Sequence, residues 1–163
     1  MAVNSTNKLF LTFFVFFLCL FQCVNAQASS DIPTVKDLRI LKQQANSAGA
    51  PVVLLLTSEG CSYCKAIKEN YLLPMSQSSQ YKSKVLFRQL YIDEYTYLRN
   101  WQGELIAGDQ IGLKYDVDVT PTILFVDAEG KEVAERIVGI TSFDYFDKLL
   151  EMHILQAQNN SVQ

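Results

Sequence analysis

Two cysteines with two residues between them are the part of this sequence whose chemistry is easiest to state. Cys61-Ser62-Tyr63-Cys64 follows the apolar run of residues 51–57 and the turn Ser58-Glu59-Gly60. Such a run predicts a strand buried on both faces, and the cysteines then open the helix that follows it. Because a helix start stabilises a thiolate, we expect the pKa of Cys61 to lie below its ordinary value. The motif favours thiol–disulfide exchange, with Cys61 attacking and Cys64 resolving.

Other uses of cysteine fit this sequence less well. A purely structural Cys61–Cys64 disulfide would close a very small loop, which constrains the unfolded chain little. A cysteine–histidine hydrolase would have to use His153, the only histidine, which lies late in the last predicted helix. Zinc would need two further ligands that the sequence does not offer. We therefore expect neither a metal nor another cofactor.

Thr120-Pro121 stands directly before a predicted core strand, where proline is unusual because it cannot donate to a ladder. The plain interpretation is a proline at the start of a strand. The functional interpretation is a cis peptide bond, which belongs almost wholly to proline. A cis bond here would turn the Thr120 backbone toward the disulfide, where it could pair with an extended substrate.

The remaining pattern predicts alternating helices and strands. The first helix is predicted to be capped by Thr34 and closed by Gly49, and the helix after Cys61 to bend or end at Pro74. Asp109 is predicted to cap a short helix, and Thr141 or Ser142 the last one. The predicted later strands span residues 85–92, 122–126 and 132–138, with a hairpin or loop insertion at residues 94–108.

Residues 50–155 resemble the thioredoxin family. The resemblance rests on the cysteine motif, Lys114-Tyr115-Asp116-Val117, Thr120-Pro121, the turn at residues 127–130, and Gly139. It implies an α/β thioredoxin fold, with a central mixed β-sheet flanked by helices. It also implies a Cys61–Cys64 redox disulfide, with substrate-binding residues Ser62, Tyr63, Thr120, Pro121 and Gly139. The insertion around Trp101-Gln102-Gly103 and the motif start Glu59-Gly60-Cys61 look most similar to bacterial periplasmic thioredoxin-like proteins, including those of sulfur-oxidation systems.

The sequence departs from thioredoxins proper at three positions near the cysteines. Gly60 stands where the family usually has tryptophan, Leu55 where it buries an aspartate, and Gln89 where a lysine pairs with that aspartate. The missing carboxylate would otherwise help to deprotonate the resolving cysteine. Glu59 is the nearest candidate for this proton transfer, although a solvated turn residue is the simpler interpretation.

The first 26 residues have the pattern of a secretory signal peptide. Lys8 precedes an apolar run, Leu9–Leu20, and Val24-Asn25-Ala26 provides a small-residue cleavage site. Two alternatives are an uncleaved membrane anchor and lipidation at Cys23. The run is short for a membrane-spanning helix, which needs about 20 residues. We expect cleavage after Ala26, a linker at 27–33, a domain at 34–157, a polar tail at 158–163, and a periplasmic or otherwise extracytoplasmic location.

The charge and composition of the chain limit the classes of molecule that it is expected to bind. The net charge is −3 and basic residues form no run, which argues against nucleic acid. We expect a monomer that acts on protein thiols and disulfides and is kept reduced by a membrane electron donor. A disulfide oxidase or isomerase, or a partner-binding module with little turnover, are the alternatives. Tyr91, Tyr95, Tyr97 and Trp101 are candidates for an aromatic partner-binding patch.

Overall fold

The structure, a computed structural model, describes residues 30–140 and 142–161. The predicted signal segment, including Cys19 and Cys23, lies outside the described residues, as does Thr141. Within the described part of the chain, no helix is both long and apolar enough to cross a membrane.

Helices and strands alternate along the chain, as predicted. In order they are α1 (Leu38–Ala48), β1 (Val52–Thr57), α2 (Ser62–Ile67), a π-helical turn (Lys68–Leu72), α3 (Leu73–Gln77), β2 (Leu86–Tyr91), β3 (Tyr97–Arg99), β4 (Leu105–Ala107), α4 (Asp109–Tyr115), β5 (Thr122–Val126), β6 (Glu132–Val138) and α5 (Phe146–Asn160).

The main sheet has four strands in the order β2-β1-β5-β6, with β1 parallel to β2 and β5 antiparallel to both of its neighbours. Every residue of β1 is buried, because alternate side chains enter two separate apolar clusters. Val53 and Leu55 pack with Ile67 and Leu150, whereas Leu54 packs in the cluster on the opposite face. The predicted strand with two buried faces is confirmed, and it fixes where the cysteine motif begins.

The N-terminal part of the domain differs from the prediction. Asp37, and not Thr34, caps α1 and accepts the Arg39 amide at 2.9 Å. Thr34 lies in an extended segment that forms a parallel bridge with Gln89 at the edge of the sheet. Ile32 is 1% exposed and belongs to the core, so the ordered domain includes part of the predicted linker. The segment completes the β2 edge, which is why it is extended and not helical.

Pro74 neither ends the helix nor interrupts it. The helix passes through the π-helical turn, where the Leu73 amide bonds to the Lys68 carbonyl, and then continues to Gln77. Pro74 thereby occupies the first turn of α3, a position that tolerates the missing amide proton. The prediction that the helix would end at Pro74 is therefore wrong, because the π-helical turn before the proline lets the helix continue.

The insertion forms a separate two-stranded antiparallel sheet, β3-β4, which confirms the predicted hairpin. Tyr95 and Tyr97 are exposed, but Trp101 packs against the apolar cluster and lies beneath the Lys114 ammonium, 5.4 Å from the ring centre. Tyr91 is half-buried. The four aromatic side chains are therefore not equally available to a partner.

Two predicted helix caps are wrong. Asp109 lies in the first turn of α4, and the N-cap position is taken by Gly108. Glycine is required there because a Cβ at that position would stand 2.3 Å from the Tyr91 carbonyl oxygen. Ser142 bonds to the Asp144 amide in the loop before α5 and does not cap the helix, which begins after Tyr145. Helix α5 also continues to Asn160, beyond the predicted end at residue 157.

Replacing Leu55 with alanine should lower the free energy of unfolding by about 2–5 kcal/mol, because the fully buried side chain leaves a cavity in the core. Urea denaturation measures the change. Leu113→Ala is the matched control: that side chain is 78% exposed, and its removal should change stability by less than about 0.5 kcal/mol. Equal losses from both variants would contradict the placement of Leu55.

Candidate functional site

The two cysteines form a disulfide at the junction of β1 and α2. Their sulfurs are 2.02 Å apart and their Cα atoms 5.3 Å apart. The turn that precedes them contains Gly60 at φ +70°, a left-handed conformation that favours glycine. The predicted strand–turn–helix setting of the motif is thus confirmed.

The two sulfurs have different surroundings. Cys61 is the N-cap of α2, and its Sγ accepts the Cys64 amide at 3.1 Å. Cys61 is partly exposed, whereas Cys64 is 2% exposed and lies behind it. When the bond is reduced, the amide and the helix start favour a thiolate on the sulfur that a substrate can reach. The geometry suits Cys61 for attack and Cys64 for resolution.

The loop before β5 brings the hydroxyl of Thr120 to the disulfide. The Thr120–Pro121 bond is cis, as predicted. The Thr120 hydroxyl donates to Cys61 Sγ at 3.8 Å, and its oxygen lies 2.8 Å from the Ser58 hydroxyl oxygen. Ser58 was not predicted to take part. Its position between a buried strand and the cysteine motif is the one signal in the sequence that could have identified it.

The other predicted substrate-binding residues lie next to Cys61 in the chain or beside the cis-proline. Ser62 and Tyr63 are exposed, the latter by 61%. The Gly139 amide donates to the Pro121 carbonyl at 2.8 Å, so β6 ends beside the cis-proline. Gly139 has φ +64°, and a Cβ at this position would have no neighbouring atom within 4 Å. Backbone conformation, and not crowding from this chain, is therefore what requires glycine there.

Glu59 is exposed and is one of the residues that line the cleft beside the disulfide. Its role in proton transfer stays a prediction. Its backbone has a clearer partner, because the Glu59 amide donates to Asp93 at 3.0 Å. The Tyr95 hydroxyl donates to the same carboxylate at 3.2 Å, and desolvation together with that negative charge raises the pKa of Tyr95. Asp93, which sequence reasoning missed, ties the insertion to the active-site turn.

Two of the three positions that differ from thioredoxins proper are paired in the sheet, as expected. Leu55 and Gln89 are opposite each other on β1 and β2, and both are buried. His153 is also buried, packs against Phe125 and leaves its Nδ1 without a partner. No group of metal-ligating side chains occurs among the described residues.

Replacing Thr120 with valine should slow alkylation of reduced Cys61 by iodoacetamide at pH 7, because the thiolate loses a hydrogen-bond donor. We expect a decrease of about twofold to fivefold, the size of a weak hydrogen bond to sulfur. The pH profile of the alkylation rate measures it. Thr120→Ser keeps the hydroxyl and should behave as the parent does. If the pH profile of the alkylation rate of Thr120→Val were identical to the parent's, the Thr120 hydroxyl would not act on the Cys61 thiolate.

Comparison with known proteins agrees with the fold. The fold is similar to mitochondrial thioredoxin 3 from Saccharomyces cerevisiae in its oxidized form, with a TM-score of 0.52, 18% identity, and coverage of 76% of this chain and 93% of that one. It is likewise similar to oxidized thioredoxin O2 from Arabidopsis thaliana, with a TM-score of 0.53, 20% identity and coverage of 77% and 96%. A Fasciola hepatica thioredoxin matches with a TM-score of 0.53, 20% identity and coverage of 77% and 99%.

No curated protein matches the sequence. Residues 41–154, most of the described chain, match the family described as the thioredoxin-like domain. This segment includes the disulfide, the cis-proline loop and the whole of the main sheet. The chain therefore belongs to the thioredoxin-like domain family.

Proposed function

We propose that the protein is an extracytoplasmic thiol–disulfide oxidoreductase that reduces protein disulfides. The observation that carries the proposal is the unequal pair of sulfurs. Cys61 is accessible and has donors from the Cys64 amide and the Thr120 hydroxyl, whereas Cys64 is 2% exposed behind it. A purely structural disulfide has no need of such an arrangement.

The reaction proceeds through two exchanges. In the reduced protein, the Cys61 thiolate attacks one sulfur of a substrate disulfide, forms a mixed disulfide, and releases the other sulfur as a thiolate that takes up a proton. The Cys64 thiol then loses its proton and attacks Cys61 Sγ. This step releases the second substrate thiolate and forms the Cys61–Cys64 bond, so that two electrons have passed to the substrate.

A protein substrate suits the surroundings of Cys61. Tyr63, two residues after Cys61, and Val119, which precedes Thr120, have side chains that are 61% and 45% exposed. An extended chain that lies across them would present its disulfide to Cys61 while it contacts apolar surface. The proposed substrates are therefore disulfides in exposed, extended protein segments.

Location and electron source belong to the same proposal. The apolar run at residues 9–20 and the small-residue site at Ala26 support export. A reductase in an oxidising compartment needs a continuing supply of electrons, so we include a dithiol electron donor in the membrane. We propose that the protein works as a monomer.

The redox potential should lie at about −200 to −270 mV, near the thioredoxin end of the scale. Ser62 and Tyr63 bring no positive charge between the cysteines, so the reduced form lacks the strong stabilisation that a disulfide oxidase requires. Equilibration with glutathione buffers measures the potential. A value above about −150 mV would favour the oxidase alternative.

The reduced protein should accelerate the reduction of insulin by dithiothreitol, and Cys64→Ser should accumulate mixed disulfides on non-reducing gels. The second variant lacks the resolving thiol, so the adduct at Cys61 persists. Cys61→Ser is the matched control and should give neither turnover nor adducts. Adducts with Cys61→Ser would reverse the two roles, and a wild-type protein without insulin turnover would favour the partner-binding alternative.

A further inference from the structure

Lys68 occupies a protected place in the cleft beside the disulfide. The cleft has a volume of about 380 Å³, and Cys61, Cys64, Gln89 and Tyr91 are among the residues that line it. Its charged lining residues are Glu59, Lys65, Lys68 and Glu69. The side chains of Lys65 and Glu69 are 70% and 52% exposed, and Glu59 is also exposed, whereas the Lys68 side chain is 17% exposed.

The Lys68 ammonium is held in position. The Lys68 amide donates to the Cys64 carbonyl, so the two residues are one helical turn apart and their side chains share a face. Lys68 Nζ lies 3.1 Å and 3.2 Å from the two carboxylate oxygens of Asp31. Asp31 precedes the extended segment that Gln89 anchors, because the Gln89 side chain donates to the Ile32 carbonyl at 2.8 Å.

The sheet beneath Cys64 provides no ionisable partner at the paired positions of β1 and β2. Leu55 is fully buried and apolar, and the side-chain amide of the opposite residue, Gln89, bonds to Ile32 and Thr34. Cys64 must nevertheless lose a proton before it can resolve a mixed disulfide. Its burial penalises the thiolate, so the step requires a compensating charge.

We propose that the Lys68 ammonium, fixed by Asp31, stabilises the Cys64 thiolate and thereby speeds the release of substrate from Cys61. This inference rests on the proposed exchange reaction. In the assisted step, the Cys64 thiol gives its proton to water, its thiolate forms the bond to Cys61 Sγ, and the substrate sulfur leaves with the electron pair of the broken bond. Lys68 supplies charge and exchanges no atom.

The other charged groups around the cleft are more exposed than Lys68. Glu59 and Glu69 are exposed, and Glu69 also lies 3.9 Å from the Lys65 ammonium. Asp31, the partner of Lys68, is 53% exposed. Exposed carboxylates interact with other charges more weakly than buried ones do, because water and salt screen them. Tyr91 is the remaining titratable side chain in the lining besides the cysteines.

The test is a pH titration of Cys64 by NMR, in the full chain that carries Cys61→Ser and has ¹³C at the cysteine Cβ atoms. The Cys64 resonance is assigned by its loss when Cys64→Ser is added. Lys68→Met should move the Cys64 titration to higher pH, so that the thiolate fraction at pH 7 falls about threefold to tenfold. Lys68→Arg keeps the charge and should stay within about twofold of the parent.

Lys65→Met is the matched control, because it removes the same charge from a more exposed position in the same cleft. It should change the Cys64 thiolate fraction by less than about twofold. An unchanged Cys64 titration in folded Lys68→Met, or an equal change from Lys65→Met, would overturn the inference. Lys68→Gln, judged by the same criterion, replaces Lys68→Met if that variant unfolds.

The titration needs no substrate and no turnover, so it separates the two proposals. A Lys68-dependent shift without insulin reduction would reject the reductase function and retain the electrostatic coupling of Lys68 to Cys64. Insulin reduction without the shift would retain the function and reject the role of Lys68.

Discussion

The hydrogen bond from the Cys64 amide to Cys61 Sγ depends on where β1 ends, and the rest of the site depends on that bond. β1 cannot slide, because all of its residues are buried between two apolar clusters and paired on both edges. The turn after it therefore delivers Cys61 to the first position of the helix and Cys64 to the first turn inside it. Backbone geometry makes one sulfur an acceptor at the surface and leaves the other covered.

Contacts from distant parts of the chain converge on this same turn. Thr120 reaches Cys61 and Ser58 from the loop before β5, and Asp93 holds the Glu59 amide from the end of β2. These are individual hydrogen bonds beyond the ends of the strands, so each is weak by itself. Together they restrict a short loop that has few apolar contacts of its own. The surrounding sheet, and not the turn sequence, gives the disulfide its fixed orientation.

Patterns that repeat along the chain predicted the fold, whereas contacts between distant residues escaped prediction. The apolar run at residues 51–57, the hairpin of β5 and β6 and the cysteine motif each carry a local signal, and each is confirmed. Thr34 has the side chain of a helix cap, but pairing with Gln89 decides its conformation. In the sequence, Ser58, Asp93 and Lys68 are ordinary polar residues that belong to no motif. Their partners Thr120, Glu59 and Asp31 lie 62, 34 and 37 residues away in the sequence, so only the tertiary structure shows these contacts.

The π-helical turn at Lys68–Leu72 has a consequence for insertions and deletions. A π turn contains one more residue than the α-helical turn it replaces, and one residue corresponds to about 100° of rotation in an α-helix. Loss of one residue within that turn would convert it to an ordinary α-helical turn, so the cysteine-bearing half of the helix would keep nearly the same orientation relative to the half that contains Pro74. Loss of one residue elsewhere in the helix would instead rotate the two halves by about 100° relative to each other.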